Sequence, residues 1–473
     1  MLKCLKGTTE IHLTLWTPES WIGEKNNKSH MPKEAIMFGK QYAVGVNRLA
    51  SVVRSLAIAC VLVLVLTTML ALSAAAQYSV VYNFTGGLDG ANPVLSLTLN
   101  QGGSLFGTIP GGSNSPGSVY ELKYVNSGWI FAPLYSFQGT DGAGPAAAVT
   151  LAPNGVVYGS TQSGGATNQG VVYMLRPSPT PPLTPLAPWN ETMLDSFPGV
   201  PDGAGPTGKL VLDSAGNLYG TTYQGGSYGK GDVYELSPTS NGWVESVLYS
   251  FSGGTDGGMP DSGVVIDSAG NLYGTAIMGG DPSCQCGVVF QLTPSSSGWN
   301  ETVLYSFQPA DGGIPIAGLA WDSSGNLYGG TCELGKSLDH RTGLGGTVKS
   351  QSRRSSGGGI STVFQLGLFG GQWVYFNLYT FNDSTCIFDH LAVDVVGAVW
   401  GTSPTAGTYG AGKLFWLLQE NGLWQYGEAY DFTGGTDGGM PYAGPSISPL
   451  GYVYGAAYGG GSYNEGVIYQ FTY

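Results

Sequence analysis

The sequence predicts an all-β fold, a seven-bladed β-propeller built from four-stranded antiparallel blades. The first observation is a repeat: seven segments end in an aromatic motif, which is Tyr-x-Phe in six of them and Asp-x-Phe in one. The closing phenylalanines lie between 51 and 74 residues apart, a period typical of solenoids, propellers and arrays. They are Phe84, Phe137, Phe197, Phe251, Phe307, Phe381 and Phe432.

The second observation is a tryptophan eight residues before the phenylalanine in six of the seven segments. Because side chains alternate between the two faces of a strand, this even spacing places both aromatics on one face. We therefore expect one recurring packing contact between neighbouring sheets, where aromatic rings bury the most area. The tryptophans are Trp129, Trp189, Trp243, Trp299, Trp373 and Trp424.

The third observation is that the two ends of the repeat region complement each other. A typical repeat contains four short strands, predicted at 263–267, 271–275, 287–292 and 299–307, joined by glycine turns. Residues 78–84 match a fourth strand, and the chain stops after a third strand at 466–471. The N-terminal strand is thus expected to join the last blade in a 1+3 closure that leaves no open sheet edge there. An open β-solenoid, which needs no complementary ends, is the alternative.

The domain prediction separates residues 1–76, an N-terminal extension with a signal peptide, from a propeller at 77–473. Arg48 and Arg54 precede an apolar run at 56–72, and small residues follow it, with cleavage expected near Ala76. An uncleaved anchor is the alternative, because the run is near the lower length limit for a membrane span. Cleavage predicts a secreted protein, extracellular or periplasmic, with no membrane span left.

Composition limits the partners. The full chain has a formal net charge of −13, and without residues 1–76 the balance becomes more negative. A field of that sign repels phosphate backbones, so nucleic acid is excluded as a partner. Low charge content and 78 glycines fit strands joined by tight turns.

The repeated motifs resemble the GloVer-type tandem repeat of secreted bacterial proteins. The resemblance rests on 256–260 (Asp-Gly-Gly-Met-Pro), on 267–275 (Asp-Ser-Ala-Gly-Asn-Leu-Tyr-Gly-Thr) and on Gly279-Gly280. Related segments recur across nearly all of the chain after Tyr78. The resemblance implies an extracellular propeller-like protein with no established reaction or catalytic residue. Such proteins carry C-terminal anchors, and this sequence shows no apolar tail, so release is expected.

A ligand-binding face is predicted from the loops. In a propeller the connections from fourth to first strands and the loops from second to third strands emerge on one face. Both sets are Gly-rich here, and such loops on a rigid scaffold commonly carry function. The candidate ligand-face residues are Asp89, Asp141, Asp202, Asp256, Asp311, Asp437, Tyr223, Tyr228, Tyr458 and Tyr463.

The six aspartates allow two interpretations. Carboxylates around one face suggest calcium, but one aspartate per blade is too widely spaced to share an ion. The favoured reading is that each aspartate caps its own turn through local hydrogen bonds. We therefore expect no cofactor, with calcium as the alternative, and no metal site.

The central channel offers few groups for catalysis. Asp261, Asp389 and His390 are the candidates near the channel-facing first strands. Of the histidines after residue 76, only His340 and His390 exist, so a histidine metal cluster or a Ser-His-Asp site has little to build on. The alternative to a binding role is a channel-centred hydrolase or lyase acting on sugars or lactones.

Four cysteines, Cys284, Cys286, Cys332 and Cys386, are predicted to form two disulfides in an oxidising compartment. Their three connectivities stay open at this point, and zinc is the weaker alternative. Two insertions are predicted, a Pro-rich one near 176–188 and a basic one near 332–359, which could dock an anionic polymer or form a mobile loop.

These features favour a secreted, non-catalytic binding or interaction propeller. It would present its Gly-rich loop face to a glycan, a cell-surface polymer or a protein. The binding role is favoured over an enzymatic one because no catalytic motif stands in the right setting.

Overall fold

The computed structural model describes residues 77–111, 115–145, 147–178, 189–332, 360–383 and 385–473. Over these residues the chain forms seven antiparallel sheets, which confirms the predicted seven-bladed β-propeller. The predicted signal peptide lies outside the described residues, and so does most of each predicted insertion.

The strands are numbered in chain order, beginning with β1 (Gln77–Asn83). Blade 1 contains β2 (Thr98–Leu99), β3 (Leu105–Ile109), β4 (Ser118–Val125) and β5 (Gly128–Ser136). Blade 2 contains β6 (Ala143–Pro145), β7 (Thr150–Leu151), β8 (Val157–Ser163), β9 (Val171–Arg176) and β10 (Asn190–Ser196). Blade 3 contains β11 (Gly203–Leu212), β12 (Leu218–Gly225), β13 (Asp232–Thr239) and β14 (Gly242–Ser250).

Blade 4 contains β15 (Val264–Ile266), β16 (Leu272–Ala276), β17 (Val288–Ser295) and β18 (Gly298–Ser306). Blade 5 contains β19 (Ala320–Trp321), β20 (Leu327–Gly330), β21 (Ser361–Phe369) and β22 (Gln372–Phe381). Blade 6 contains β23 (Ala392–Val393), β24 (Val399–Ser403), β25 (Lys413–Glu420) and β26 (Leu423–Asp431). Blade 7 contains β27 (Ser446–Ile447), β28 (Tyr452–Ala457) and β29 (Val467–Thr472) together with β1.

Two local features depart from the regular four-strand pattern. The first strand of blade 2 is split, so that β6 and β7 both pair with β8. A single turn of 3₁₀ helix at Pro309–Asp311 joins blades 4 and 5. Neither feature changes the order of the blades.

The ring closes as predicted, because β1 is the outer strand of blade 7. It pairs antiparallel with β29, with Val80 opposite Tyr469 and Tyr82 opposite Ile468 across a bulge. The first strand in the sequence therefore completes the last sheet, and the 1+3 closure is confirmed.

Within each blade, a glycine on the second strand lies under an aromatic ring from the third strand. A Cβ added at Gly159 would stand 2.3 Å from the Tyr173 hydroxyl oxygen and 2.5 Å from its Cζ. Gly274 has the same relation to Phe290. Only glycine fits such a position, which explains why Gly recurs in the Leu-Tyr-Gly-Thr motif. The seven glycines are Gly107, Gly159, Gly220, Gly274, Gly329, Gly401 and Gly455.

We call the contact between neighbouring blades a seam, and each seam is packed by the phenylalanine of the repeated motif. Each ring meets, edge to face, the third-strand aromatic of the next blade, with ring centroids 5.0 to 5.7 Å apart. Such edge-to-face pairs stabilise beyond the area they bury. The pairs are Phe84–Tyr120, Phe137–Tyr173, Phe197–Tyr234, Phe251–Phe290, Phe307–Phe364, Phe381–Phe415 and Phe432–Tyr469.

The fourth-strand tryptophans also pack across seams, as predicted. Each of five contacts the second-strand tyrosine of the preceding blade, with centroids 5.7 to 6.3 Å apart. Trp189 packs against the core cluster that contains Phe106. The five pairs are Trp129–Tyr454, Trp243–Tyr158, Trp299–Tyr219, Trp373–Tyr273 and Trp424–Tyr328.

In blades 3 to 6, an aspartate holds the turn between the first and second strands. Asp267 accepts hydrogen bonds from the backbone N–H groups of Ala269 and Asn271, from the Asn271 amide and from the Tyr273 hydroxyl. Burial raises the pKa of Asp267, but these donors outweigh burial and hold that pKa below its ordinary value. The aspartate is thus a structural cap, as its turn sequence predicts.

Candidate functional site

The Gly-rich face is formed by two sets of loops, and in blades 2, 3, 4 and 7 the two loops of the blade hydrogen-bond to each other. In blade 4, Gly280 N–H donates to the Gly254 carbonyl over 2.9 Å, and in blade 7 Gly461 N–H donates to Gly435 over 2.8 Å. Gly279 has a φ of +78°, and a Cβ there would lie 2.3 Å from the Gly254 oxygen. The double glycine therefore allows the two loop backbones to approach closely and to form the hydrogen bonds that restrain this face.

Five of the six predicted aspartates are used within their own loops. Asp256 accepts hydrogen bonds from the Tyr249 hydroxyl (3.1 Å), from Ser252 N–H (2.7 Å) and from Gly254 N–H (3.1 Å). In each of the five, the tyrosine of the preceding Tyr-x-Phe motif donates its hydroxyl to the aspartate. The five are Asp89, Asp141, Asp256, Asp311 and Asp437.

Asp202 departs from this arrangement because Asp195 replaces the tyrosine of the preceding motif. Its backbone carbonyl accepts a hydrogen bond from Gly226 N–H over 2.8 Å, so the loop contact itself is kept. The replacement adds a carboxyl group between blades 2 and 3.

The hydrogen bonds of the five aspartates oppose calcium binding. Among the residues that the structure describes, no group of three or more His, Cys, Asp or Glu side chains is arranged to hold a metal ion. A carboxylate that already accepts three donors from its own loop has few oxygen lone pairs left for an ion.

We expect the thermal midpoint of the protein to be the same in millimolar Ca²⁺ and in excess EDTA. A calcium site occupied at a hundred times its dissociation constant would stabilise the fold by about 2.7 kcal/mol, which differential scanning fluorimetry resolves easily. A calcium-dependent rise in the midpoint of several degrees would contradict the turn-cap interpretation and revive the calcium alternative.

The four predicted tyrosines divide into two pairs. Tyr228 and Tyr463 are 65% and 60% exposed at the tips of second-to-third strand loops. Tyr223 is partly buried against the cluster that contains Ile277 and Ile316, and Tyr458 contacts the ring of Tyr442 at 5.8 Å. Only the first pair presents its rings to solvent.

A third exposed loop tyrosine, Tyr409, was missed by the sequence analysis. It is 64% exposed and stands in blade 6 at the position that Tyr228 holds in blade 3. Its loop, 406–410 (Ala-Gly-Thr-Tyr-Gly), begins with alanine instead of the first glycine. Comparison with 225–229 (Gly-Gly-Ser-Tyr-Gly) would have found it.

Asp389 and His390 lie together at the channel, in the chain just before β23. One Asp389 oxygen accepts from Ser96 Oγ (2.5 Å) and Gly444 N–H (3.2 Å). The other accepts from His390 N–H at 2.8 Å and lies 3.2 Å from His390 Nδ1. Asp389 of blade 6 therefore accepts hydrogen bonds from blades 1 and 7 and stabilises the contact between these three blades.

Asp261, the third channel candidate, is only 5% exposed. The residue after it, Ser262, and His390 both approach Gly318, whose added Cβ would stand 3.5 Å from the Cβ of each. The first strands of blades 4, 5 and 6 are therefore close at the axis, and small residues line this part of the channel. A catalytic role for the three candidates stays a prediction.

Lys209, on β11, is a channel residue that the sequence analysis missed. Its side chain keeps contact with solvent, yet the surrounding protein desolvates the ammonium group and lowers its pKa. The negative charge of Asp389 partly offsets this effect. No sequence motif marks Lys209, because its surroundings come from first strands far apart in the chain.

The structure pairs Cys284 with Cys286 and Cys332 with Cys386. The predicted disulfides are thus supported, with the connectivity chosen from the three that the sequence left open. No disulfide joins Cys332 to either cysteine of blade 4. Instead, Cys332–Cys386 joins the end of the second strand of blade 5 to the segment before β23 in blade 6.

A cavity of about 480 Å³ opens on the Gly-rich face beside the fourth strand of blade 4. Asp256, Asp281 and Glu301 contribute carboxylates to its wall, and Val303 and Pro282 contribute apolar surface. Burial, followed by the charge of Asp256, raises the pKa of Glu301 to about 7. The cavity lies between blades 3 and 4, in the part of the ring that also carries Tyr228.

Fold and face together define a class: a closed propeller of tandem four-stranded repeats with one rigid Gly-rich loop face. A family model, the Gloeobacter/Verrucomicrobia repeat, matches residues 183–348 of the chain. This match confirms the resemblance predicted from the repeated motifs. No curated protein matches the chain.

Several solved structures are similar to the chain. A candidate gluconolactonase shares 10% identity at a TM-score of 0.39, with 84% of this chain and 92% of that one covered. The extracellular domain of a candidate hybrid two-component system from B. thetaiotaomicron shares 10% identity at 0.49, with 84% and 40% covered. A candidate 6-phosphogluconolactonase from Bacteroides uniformis shares 14% identity at 0.46, with 70% and 83% covered. These similarities transfer no activity to the chain.

The described part of the chain contains no helix with the length and apolar character of a membrane span.

Proposed function

We propose that the protein is a non-catalytic binding module that works outside the cytoplasm and holds a glycan or a carbohydrate surface polymer on its Gly-rich face. The observation that carries the proposal is the set of three exposed tyrosines, Tyr228, Tyr409 and Tyr463, at equivalent loop positions of blades 3, 6 and 7. Double-glycine loops support Tyr228 and Tyr463, so little conformational entropy is lost at these two positions when a ligand binds.

The chemistry of these residues suits a sugar ligand. An exposed tyrosine offers a flat apolar ring for the C–H face of a sugar and a hydroxyl for its polar edge. Tyr409 and Tyr463 come from adjacent blades, so one extended chain would meet both. The cavity beside Glu301 adds carboxylates that accept hydrogen bonds from sugar hydroxyls.

Two observations support an extracellular location. The cysteine pairs Cys284–Cys286 and Cys332–Cys386 suit an oxidising compartment. The apolar run before residue 77 has the sequence character of a signal peptide, which N-terminal sequencing of the secreted protein would test.

A glycan array with full-length wild type and the triple variant Tyr228→Ala, Tyr409→Ala, Tyr463→Ala tests the proposal. We expect the variant to lose at least about tenfold in affinity for the glycans that wild type retains, because each stacked ring contributes about 0.5–1.5 kcal/mol. Tyr124→Ala is the matched control, since Tyr124 is 58% exposed on the opposite face. Binding that survives in the triple variant, or a wild type that retains no glycan, would reject the proposal.

A further inference from the structure

Four of the seven seams contain a stacked aromatic pair, and the other three lack it. Six residues before the closing phenylalanine, four blades carry an aromatic that packs parallel to the motif tyrosine of the preceding blade. The Tyr305–Tyr375 rings, for example, lie 4.0 Å apart with 6° between their planes. The four pairs are Tyr82–Phe131, Tyr305–Tyr375, Tyr379–Tyr426 and Tyr430–Tyr78.

Blades 2, 3 and 4 replace that aromatic with a glutamate, namely Glu191, Glu245 or Glu301. In all three, Oε1 is enclosed by protein and has no hydrogen-bond partner. At the blade 2–3 seam the motif tyrosine is lost as well, because Asp195 stands there. The two positions that hold a stacked aromatic pair at other seams are therefore held at this seam by two carboxyl groups.

A third carboxylate completes the cluster at the blade 2–3 seam. Asp232 is fully buried at the start of β13, where blades 2, 4 and 7 have valine. One of its oxygens accepts the Thr222 hydroxyl, and the other has no partner. Asp195 Oδ2 and Glu245 Oε1 are likewise enclosed without a partner.

In blade 6, a buried cation pairs with the carboxylates of its seam. Lys413 occupies the position of Asp232 and is 2% exposed. Its ammonium group lies 3.1 Å from Asp383 and 3.3 Å from Glu428. Among the described residues, no lysine or arginine forms such a pair with Asp195, Asp232 or Glu245.

A metal ion is not the favoured substitute for that missing cation, because the described acidic side chains nowhere converge on a metal position. A proton can instead neutralise each carboxyl group separately. A protonated carboxyl group is uncharged, so it can stay enclosed by protein without a cation beside it.

The electrostatics of the seam agree with this chemistry. Burial, followed by the charges of Asp195, Asp232 and Asp202, raises the pKa of Glu245 to about 8. Burial likewise raises the pKa of Asp232 to about 7, and it raises the pKa of Asp195. Tyr234, which also faces the cluster from β13, stays neutral because burial raises its pKa well above the ordinary value.

We propose that the seam between blades 2 and 3 is a proton-operated joint: protons bound by the enclosed carboxyl groups of Asp195, Asp232 and Glu245 hold it closed, and their loss loosens it. The other seams have aromatic stacks, single glutamates or the Lys413 ion pairs. This joint makes one sector of the ring responsive to the pH around the protein.

The direction of the effect follows from proton binding. The folded cluster keeps protons up to about pH 7–8, whereas the unfolded carboxyls release theirs near pH 4–4.5. Between these limits the folded state binds more protons, so raising the pH lowers the stability of the seam. The contribution is complete below about pH 4 and is lost as the pH passes about 8.

Hydrogen exchange of the full-length protein at pH 6 and pH 9, corrected for intrinsic exchange, tests the joint. In wild type we expect peptides from β10 and β14 to lose at least about tenfold in protection, while peptides from β25 and β26 keep theirs. Glu245→Gln and Asp232→Asn, which mimic the neutral side chains, should remove most of this loss. Glu428→Gln, in the Lys413 seam, is the matched control and should leave it intact.

Two results would overturn the proposal. One is a blade 2–3 seam that stays protected at pH 9 in wild type, or that responds equally in the Gln and Asn variants. The other is protection restored at pH 9 by millimolar Ca²⁺, which would make the cluster a cation site. Circular dichroism of each variant confirms folding, and Asp232→Asn serves if Glu245→Gln does not fold.

Discussion

Phe84→Ala is expected to destabilise the propeller by about 3–5 kcal/mol, the cost of truncating a fully buried phenylalanine. Phe84 is 0% exposed and follows β1, the strand that closes the ring. Its ring packs on Tyr120 and Phe131 of blade 1. The substitution therefore removes packing at the seam between blade 7, which β1 completes, and blade 1.

Urea unfolding followed by tryptophan fluorescence measures this effect. Phe376→Ala is the matched control, because Phe376 is 40% exposed on the outer strand of blade 5 and its loss should cost less than about 1 kcal/mol. If Phe84→Ala unfolds within about 1 kcal/mol of wild type, the closure by β1 contributes little, and the ring is held by its other seams.

Gly159→Ala is expected to cost about 1–3 kcal/mol through overpacking, although alanine suits a strand better than glycine does. The new methyl group would stand 2.3 Å from the Tyr173 hydroxyl oxygen, and Tyr173 is fully buried between blades 1 and 2. The ring cannot withdraw without disturbing Phe137, whose centroid lies 5.0 Å from it.

A double-mutant cycle separates this clash from a general intolerance of alanine. Tyr173→Leu shortens the facing side chain, so Gly159→Ala should cost much less in that background than in wild type. Gly128→Ala is the control, because its added Cβ meets no atom nearer than 4.0 Å. Equal costs for Gly159→Ala in both backgrounds would show that the ring is not the constraint.

The fold could be predicted from the sequence because each repeated residue makes the same packing contact in successive blades. The Tyr-x-Phe ends, the tryptophans eight residues earlier and the second-strand glycines each mark a contact that recurs in every blade or nearly every blade. The assignment of Asp256 and its equivalents to turns was also accessible, since a local hydrogen bond needs only neighbours in the chain.

The candidate site was harder to predict from the sequence, because it depends on contacts between residues that are far apart in the chain. The difference between the exposed Tyr228 and the partly buried Tyr223 depends on which residues from blades 4 and 5 pack against the latter. Lys209 and Asp389 interact although they are far apart in the sequence. No local pattern carries such information.

By itself, the sequence determined the number of blades, the closure by the first strand and the sidedness of the loops, because these follow from strand periodicity and from the order of the repeats. Only the tertiary structure decided which tyrosines face solvent, which cysteines pair, and that Asp195, Asp232 and Glu245 meet at one seam. The physical reason is that burial and electrostatic interaction depend on distance in space, and neighbouring blades bring together residues that the chain keeps apart.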